Sequence, residues 1–369
     1  MISLRRAIMV KQVHPERHLA GVYPDRRQRL QAHRDLYSCQ FDAEPFIMYR
    51  VKKNLVRPSW RTDGQGFVSV THAPGPTPVR VLLLGDSVTF GLGLSHPHEN
   101  IAFQLEKALL VHSRVRERGL EIVNASQPGY SLLQQALYSR YFLNRPESPH
   151  IVLIWAGFND IHNAFYSGQF GGPMPLLETF VPAVRRAARF LLKLFPPALL
   201  EMIVGAELAT RIRSGRRQPG RCFPEDRDLY LSLFSDLKAR WARQGTRVLF
   251  LLQPYLGSGK RDLVPCEQEI LAERRRLIEQ QFGLDVFAFY AQAYRLYEGW
   301  LKETGCDCLS LADALDGQND QMFLDRVHLS PRAVEIVAQR IGLAALQAIG
   351  SPNSGGDMIG GDSFNRGES

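Results

Sequence analysis

Between residues 79 and 350 the chain alternates short, nearly continuous apolar runs with longer stretches of helical periodicity. The runs are Val79–Leu84, Leu120–Asn124, 151–155 and 248–252, with a weaker fifth at 308–311. Runs of this kind predict strands that are covered on both faces. Helical patterns lie between them at about 99–114, 131–143, 225–243, 265–281 and 286–303. A last helix is predicted from Pro331 to about residue 348, with Ser330 as N-cap and proline at the first helical position. Strands alternating with helices imply parallel pairing through right-handed crossovers. The expected fold is therefore a three-layer α/β/α domain around a central parallel five-stranded sheet. Such sheets hold their ligands at the carboxyl ends of the strands, and the chemistry is to be sought there.

The flanks read differently. Residues 1–75 lack sustained periodicity and end in a turn-rich linker, Ala73-Pro74-Gly75-Pro76-Thr77-Pro78. Residues 351–369 are rich in Ser, Gly, Asn and Asp and are expected to form a disordered tail. The segment at about 165–224 is longer than a crossover needs and is expected to be a mostly helical insertion that roofs the site. The division expected is an extension over 1–75, a domain over 76–350 with that insertion, and a tail.

Composition narrows the class. Of 369 residues, 45% are hydrophobic and 22% charged, which suits a buried core and excludes wholesale disorder. The apolar stretch 191–204 is broken by Lys193, Pro196, Pro197 and Glu201, and no apolar run follows the basic first ten residues. A cytoplasmic protein is expected. The net charge of +8 is concentrated in two places: 1–34 carries eight basic against two acidic residues, and 165–224 nine against three, so the remainder is net acidic. That is not the pattern of a uniformly basic nucleic-acid binder. Each basic segment could touch an anionic surface, and the amphipathic Phe190-Leu191-Leu192-Lys193-Leu194-Phe195 could serve as a packed lid or a membrane-surface helix. The five cysteines (Cys39, Cys222, Cys266, Cys306, Cys308) have neither zinc nor redox spacing and read as free thiols. No cofactor or metal ligand set is apparent.

Four groups of residues at strand ends could carry chemistry. The first strand runs into Gly85-Asp86-Ser87, then Val88-Thr89-Phe90-Gly91. A serine there can act as a nucleophile if a base reaches it, although Gly, Asp and Ser also make ordinary turns. The second strand leads to Gly129, where glycine lets a backbone N–H approach a reacting group. The third ends in Ala156-Gly157-Phe158-Asn159-Asp160, and the Asn amide can donate to an oxyanion or simply form a turn. Near the end of the domain lies Asp325-Arg326-Val327-His328, with Ser330 capping the helix that follows. A carboxylate three residues before a histidine can bind its Nδ1–H and leave Nε2 free to take a proton. His96, His98 and His162 are rival bases. The tail repeats Gly361-Asp362-Ser363 with no strand ahead of it.

In this order the four groups resemble the SGNH hydrolases, also called GDSL esterases and lipases, over about residues 79–350. The matching residues are Gly85-Asp86-Ser87 with Thr89 and Gly91, then Gly129, Gly157-x-Asn159-Asp160 and Asp325-x-x-His328. The resemblance implies a flavodoxin-like SGNH fold and a serine esterase with Ser87 as nucleophile and His328 as base, oriented by Asp325. It also implies an oxyanion hole from the Ser87 N–H, the Gly129 N–H and Asn159, with Gly85, Asp86 and Asp160 in support. An α/β-hydrolase elbow, G-x-S-x-G, is disfavoured because Thr89 stands at its last glycine. The same site would also suit an O-acyltransferase or deacetylase acting on a glycan or lipid. A non-catalytic binder of polyanions or lipid surfaces is the alternative from another class.

Overall fold

The structure is a computed structural model that describes residues 19 and 21–350, apart from 38–39, 45–46, 58, 69, 73–76, 144–146 and 168–225. The basic segment before residue 19, nearly all of the 165–224 insertion with its 190–195 stretch, the tail, Cys39 and Cys222 lie outside the described residues.

The elements in chain order are α1 (Arg26–Tyr37), β1 (Phe41–Glu44), β2 (Met48–Val51), β3 (Val70–His72), β4 (Val79–Leu84) and the one-turn α2 (Ser87–Phe90). After a 3₁₀ turn at Pro97–Glu99 come α3 (Ile101–Leu110), α4 (Ser113–Arg118), β5 (Leu120–Asn124), α5 (Leu132–Leu143), β6 (Ile151–Ala156) and α6 (Phe158–Ser167). The chain continues with α7 (Arg227–Ala242), β7 (Arg247–Leu252), α8 (Pro265–Phe282), α9 (Val286–Glu303), β8 (Asp307–Ser310) and α10 (Pro331–Gly350).

The sheet order is β3-β5-β4-β6-β7-β8. The last five strands of that order pair in parallel, as the sequence predicts, with β6 at the centre and every one of its residues buried. One helical layer contains α3 and α10, and the other contains α5, α6, α7 and α9. The helix α10 is long and apolar enough to span a membrane, but Ala333, Val334, Val337, Ala338, Ile341 and Ala345 are buried where it packs on α3, β6 and β7. The fold accounts for its apolar face.

Three differences from the sequence reading matter. The sheet has a sixth strand, β3, contributed by the N-terminal extension and antiparallel to β5. At three residues it is too short to leave a periodic signal. The helix predicted at 99–114 is broken into a 3₁₀ turn, α3 and α4, with His112 preceding the second start. The third strand is followed at once by a helix, α6, at residues whose composition would also suit a turn. Its buried Phe158, Ile161, Ala164 and Phe165 keep helical spacing.

The N-terminal extension packs against the domain as part of it. Its hairpin β1–β2 lies beside the loop after β5, and Trp60 meets Phe90 of α2 edge-to-face with ring centroids 4.9 Å apart. Farther upstream, Leu19, Tyr23 and Ala32 bury Leu324, the residue before Asp325.

Candidate active site

Ser87 stands just after the end of β4. Asp86 caps α2 through its side chain, with Oδ1 accepting from the Val88 N–H at 2.9 Å. Ser87 is the first helical residue, so its N–H has no intrahelical acceptor. The far end of the turn is held by Asn124 and Asn100, which donate to the Thr89 and Phe90 carbonyls at 2.8 and 2.6 Å. Only glycine fits at position 85, where a Cβ would come within 2.2 Å of Thr89 Oγ1 and 3.0 Å of Trp155 Cβ. This packing holds the serine at the carboxyl edge of the sheet.

His328 comes to Ser87 from 241 residues away in sequence. Its Nε2 lies 2.9 Å from Ser87 Oγ, and its Nδ1 lies 2.8 Å from Asp325 Oδ2. The other Asp325 oxygen accepts from the Val327 and His328 N–H groups, both at 2.8 Å, which fixes the carboxylate in its turn. An antiparallel bridge between Phe323 and Leu329 and the Leu324 N–H to His328 carbonyl bond, 2.8 Å, close the base of this loop. Burial by itself would lower the proton affinity of His328, but Asp325, through charge and hydrogen bond, and Asp86 raise it above the ordinary histidine value. Burial would raise the Asp325 carboxyl, but His328 and the two backbone donors hold it well below the usual carboxylate range. The arrangement can accept a proton at Nε2 and stabilise the resulting imidazolium.

Of the expected oxyanion donors, Asn159 reaches Asp86 beside the serine, and Gly129 precedes Tyr130, whose carbonyl Asn159 also binds. Among the described residues the Ser87 and Gly129 N–H groups donate to no protein acceptor. Gly129 has φ +80°, a left-handed conformation that favours glycine. Asn159 is buried in the first turn of α6, and its Nδ2 donates to Asp86 Oδ2 at 3.2 Å and to the Tyr130 carbonyl at 3.1 Å. An oxyanion would have to share or replace one of these bonds. Burial raises the Asp86 carboxyl to about 6, partly opposed by the Val88 N–H and His328. Asp160 is braced elsewhere, accepting the Leu132 N–H at the start of α5 at 2.9 Å, and burial raises it to about 7.

The rival histidines lie apart from this relay. His162 is buried, stacked on Phe158, with Nδ1 2.7 Å from the Tyr290 hydroxyl and Nε2 3.2 Å from Arg326. Burial, with Arg326 and Arg274, pushes its proton affinity well below the ordinary histidine value. His96 and His98 stack on one another on the exposed 3₁₀ turn. The sequence predicts no chemistry for Arg326, whose guanidinium covers the Phe158 ring at 5.6 Å, or for Tyr49 and Tyr130, which sit against the Gly129 loop. Their places at the site come from tertiary contacts. No cluster of three or more metal-ligating side chains occurs among the described residues.

The sequence matches no protein-family model, and no curated protein matches it. Similar solved structures include an α/β hydrolase enzyme from the metagenome of Lake Arreo, Spain, 16% identical, with a TM-score of 0.39 over 75% of this chain and 98% of that one. An acetylxylan esterase from Geobacillus stearothermophilus is 16% identical, with a TM-score of 0.36 over 76% of this chain and 98% of its own. A further acetyl xylan esterase, AlAXEase, is 13% identical, with a TM-score of 0.39 over 72% and 99% of the two chains. Likenesses this distant carry over neither residue roles nor substrates.

Proposed function

We propose that the chain is a serine hydrolase of carboxylic esters, working through an acyl-enzyme on Ser87 as in the SGNH hydrolases it resembles. One observation carries this reading: an unbroken hydrogen-bonded relay runs from Ser87 Oγ to His328 Nε2 and from His328 Nδ1 to Asp325 Oδ2. A serine hydroxyl is a weak nucleophile until a positioned base takes its proton, and this geometry provides that base.

In the proposed reaction Ser87 Oγ attacks the ester carbonyl while its proton passes to His328 Nε2. Asp325 holds the imidazole orientation and stabilises the imidazolium without itself taking the proton. Charge developing on the carbonyl oxygen is met by the Ser87 and Gly129 N–H groups, with Asn159 turning one amide proton from its present partners. His328 returns the proton to the departing alcohol. Water then attacks the acyl-enzyme by the same route, freeing the acid and Ser87. Asp86 supports the site by capping the serine turn and by holding Asn159.

The test is hydrolysis of p-nitrophenyl acetate and butyrate by the parent chain and by Ser87→Ala. The variant is expected to lose turnover; hydrolysis undiminished in Ser87→Ala removes the assignment.

A further inference from the structure

The loop that carries Gly129 is held from outside the domain's own βα units. Strand β2, nearly eighty residues earlier in the chain, meets it at three nearly consecutive positions. The Val51 N–H donates to Gln127 Oε1 at 2.7 Å, the Tyr49 hydroxyl donates to the Pro128 carbonyl at 2.8 Å, and the Tyr130 hydroxyl donates back to the Tyr49 carbonyl. Just beyond the loop, Gln134 Nε2 donates to the Ile47 carbonyl at 3.3 Å. Tyr49 is fully buried, with its ring edge-to-face against Tyr130 at 5.3 Å and Phe41 at 5.1 Å.

The Pro128 contact has a specific consequence. A peptide unit is planar and trans, so its carbonyl and the following N–H point in opposite directions. Among the described residues no peptide bond is cis. Fixing the Pro128 carbonyl therefore fixes the direction of the Gly129 N–H, the other end of the same peptide. At φ +80° Gly129 has more rotational freedom than any other residue type would have there, so this peptide needs an external hold. The Tyr130 carbonyl that accepts from Asn159 Nδ2 belongs to the same stretch, so the side-chain donor is registered against it too.

We propose that Tyr49 is a positioning residue for the oxyanion hole: its hydroxyl, bonded to the Pro128 carbonyl, sets the orientation of the peptide that presents the Gly129 N–H. The inference rests on the esterase reading and gives the N-terminal extension a part in turnover. A donor aimed at charge that appears only in the transition state affects kcat more than KM.

The experiment compares steady-state hydrolysis of p-nitrophenyl acetate by the parent chain, Tyr49→Phe and Thr62→Val, together with their melting temperatures. Tyr49→Phe keeps the ring and removes the hydroxyl. Thr62→Val removes two bonds within the same extension, Thr62 Oγ1 to the Lys52 carbonyl at 2.7 Å and the Leu55 N–H to Thr62 Oγ1 at 2.9 Å, neither of which touches the loop. Tyr49→Phe is expected to lower kcat about tenfold with KM within about twofold, the range for a weakened rather than deleted oxyanion donor. Thr62→Val is expected to lower the melting temperature and leave kcat unchanged. Unchanged kcat in Tyr49→Phe, or equal kcat losses in the two variants, overturns the proposal while leaving the esterase reading in place. A parent chain that hydrolyses no ester removes both. Should Tyr49→Phe not be recovered folded, 4-fluorophenylalanine incorporated at position 49, which fills the hydroxyl's volume without donating, takes its place; a kcat loss at constant KM supports the proposal and an unchanged kcat overturns it.

Discussion

At the scale of single residues the account predicts kinetics in which the members of the relay fail differently. Asp325→Asn keeps the shape of the side chain but removes the charge that steadies imidazolium, so kcat should fall by about 10³–10⁴ with the fold intact. A loss below about tenfold, measured beside an unchanged circular dichroism spectrum, would deny Asp325 that role. The proton affinity of His328 is raised, so the imidazole is protonated and unable to act as base until the pH passes a value above the ordinary 6.5. Activity should therefore rise with pH, with a midpoint above about 6.5; a kcat/KM profile flat from pH 5 to 8 contradicts a histidine base. For Asn159→Ala the expected fall in kcat is about 10²–10³, the cost of losing an oxyanion donor. A change confined to KM would assign Asn159 to substrate binding instead.

At the scale of elements, the strands explain why so much of the site was legible. A buried parallel strand must be almost wholly apolar, so the places where Val79–Leu84, Leu120–Asn124 and Ile151–Ala156 stop can be read directly. The short segments that follow them mix small and polar residues at the sheet's carboxyl edge, and Ser87, Gly129 and Asn159 all stand in them. The Asp325–His328 pair was legible for a different reason: three residues of separation suffice for a local carboxylate–imidazole bond. What stayed hidden was the start of α6. Gly157-Phe158-Asn159-Asp160 has the composition of a turn, and only the spacing of Phe158, Ile161 and Phe165 reveals the helix. Asp160 then links this helix to the one before it, because its carboxylate accepts the otherwise orphaned Leu132 N–H at the head of α5. Asp160→Ala leaves that buried donor unsatisfied and should cost about 1–3 kcal/mol in urea unfolding. Full stability in the variant would show that the helix start is held by other contacts.

At the scale of the whole molecule the N-terminal extension is the part that sequence patterning described least well. Its contacts are single side chains and a three-residue edge strand, none of which produces a period. Yet it touches the serine turn, the Gly129 loop and the residue before Asp325. Trp60 packs on Phe90 in the serine turn, Tyr49 and Val51 hold the Gly129 loop, and Leu19, Tyr23 and Ala32 cover Leu324 beside Asp325. The Tyr23 hydroxyl also donates to the Gly93 carbonyl at 3.1 Å, just after the serine turn. Removing residues 1–75 would uncover Phe90, Leu92 and Leu324 and leave the β5 edge unpaired. Such a chain should be aggregation-prone and inactive. A monomeric truncated chain with parent-level kcat would show that the extension is dispensable.

Labelling with a fluorophosphonate probe followed by peptide mapping tests the central claim most directly, since it asks for an activated serine without requiring the natural substrate. The expected result is a single adduct on Ser87, formed in the folded parent chain and lost in His328→Ala. An adduct on another serine, or Ser87 labelled equally fast without His328, would contradict the account.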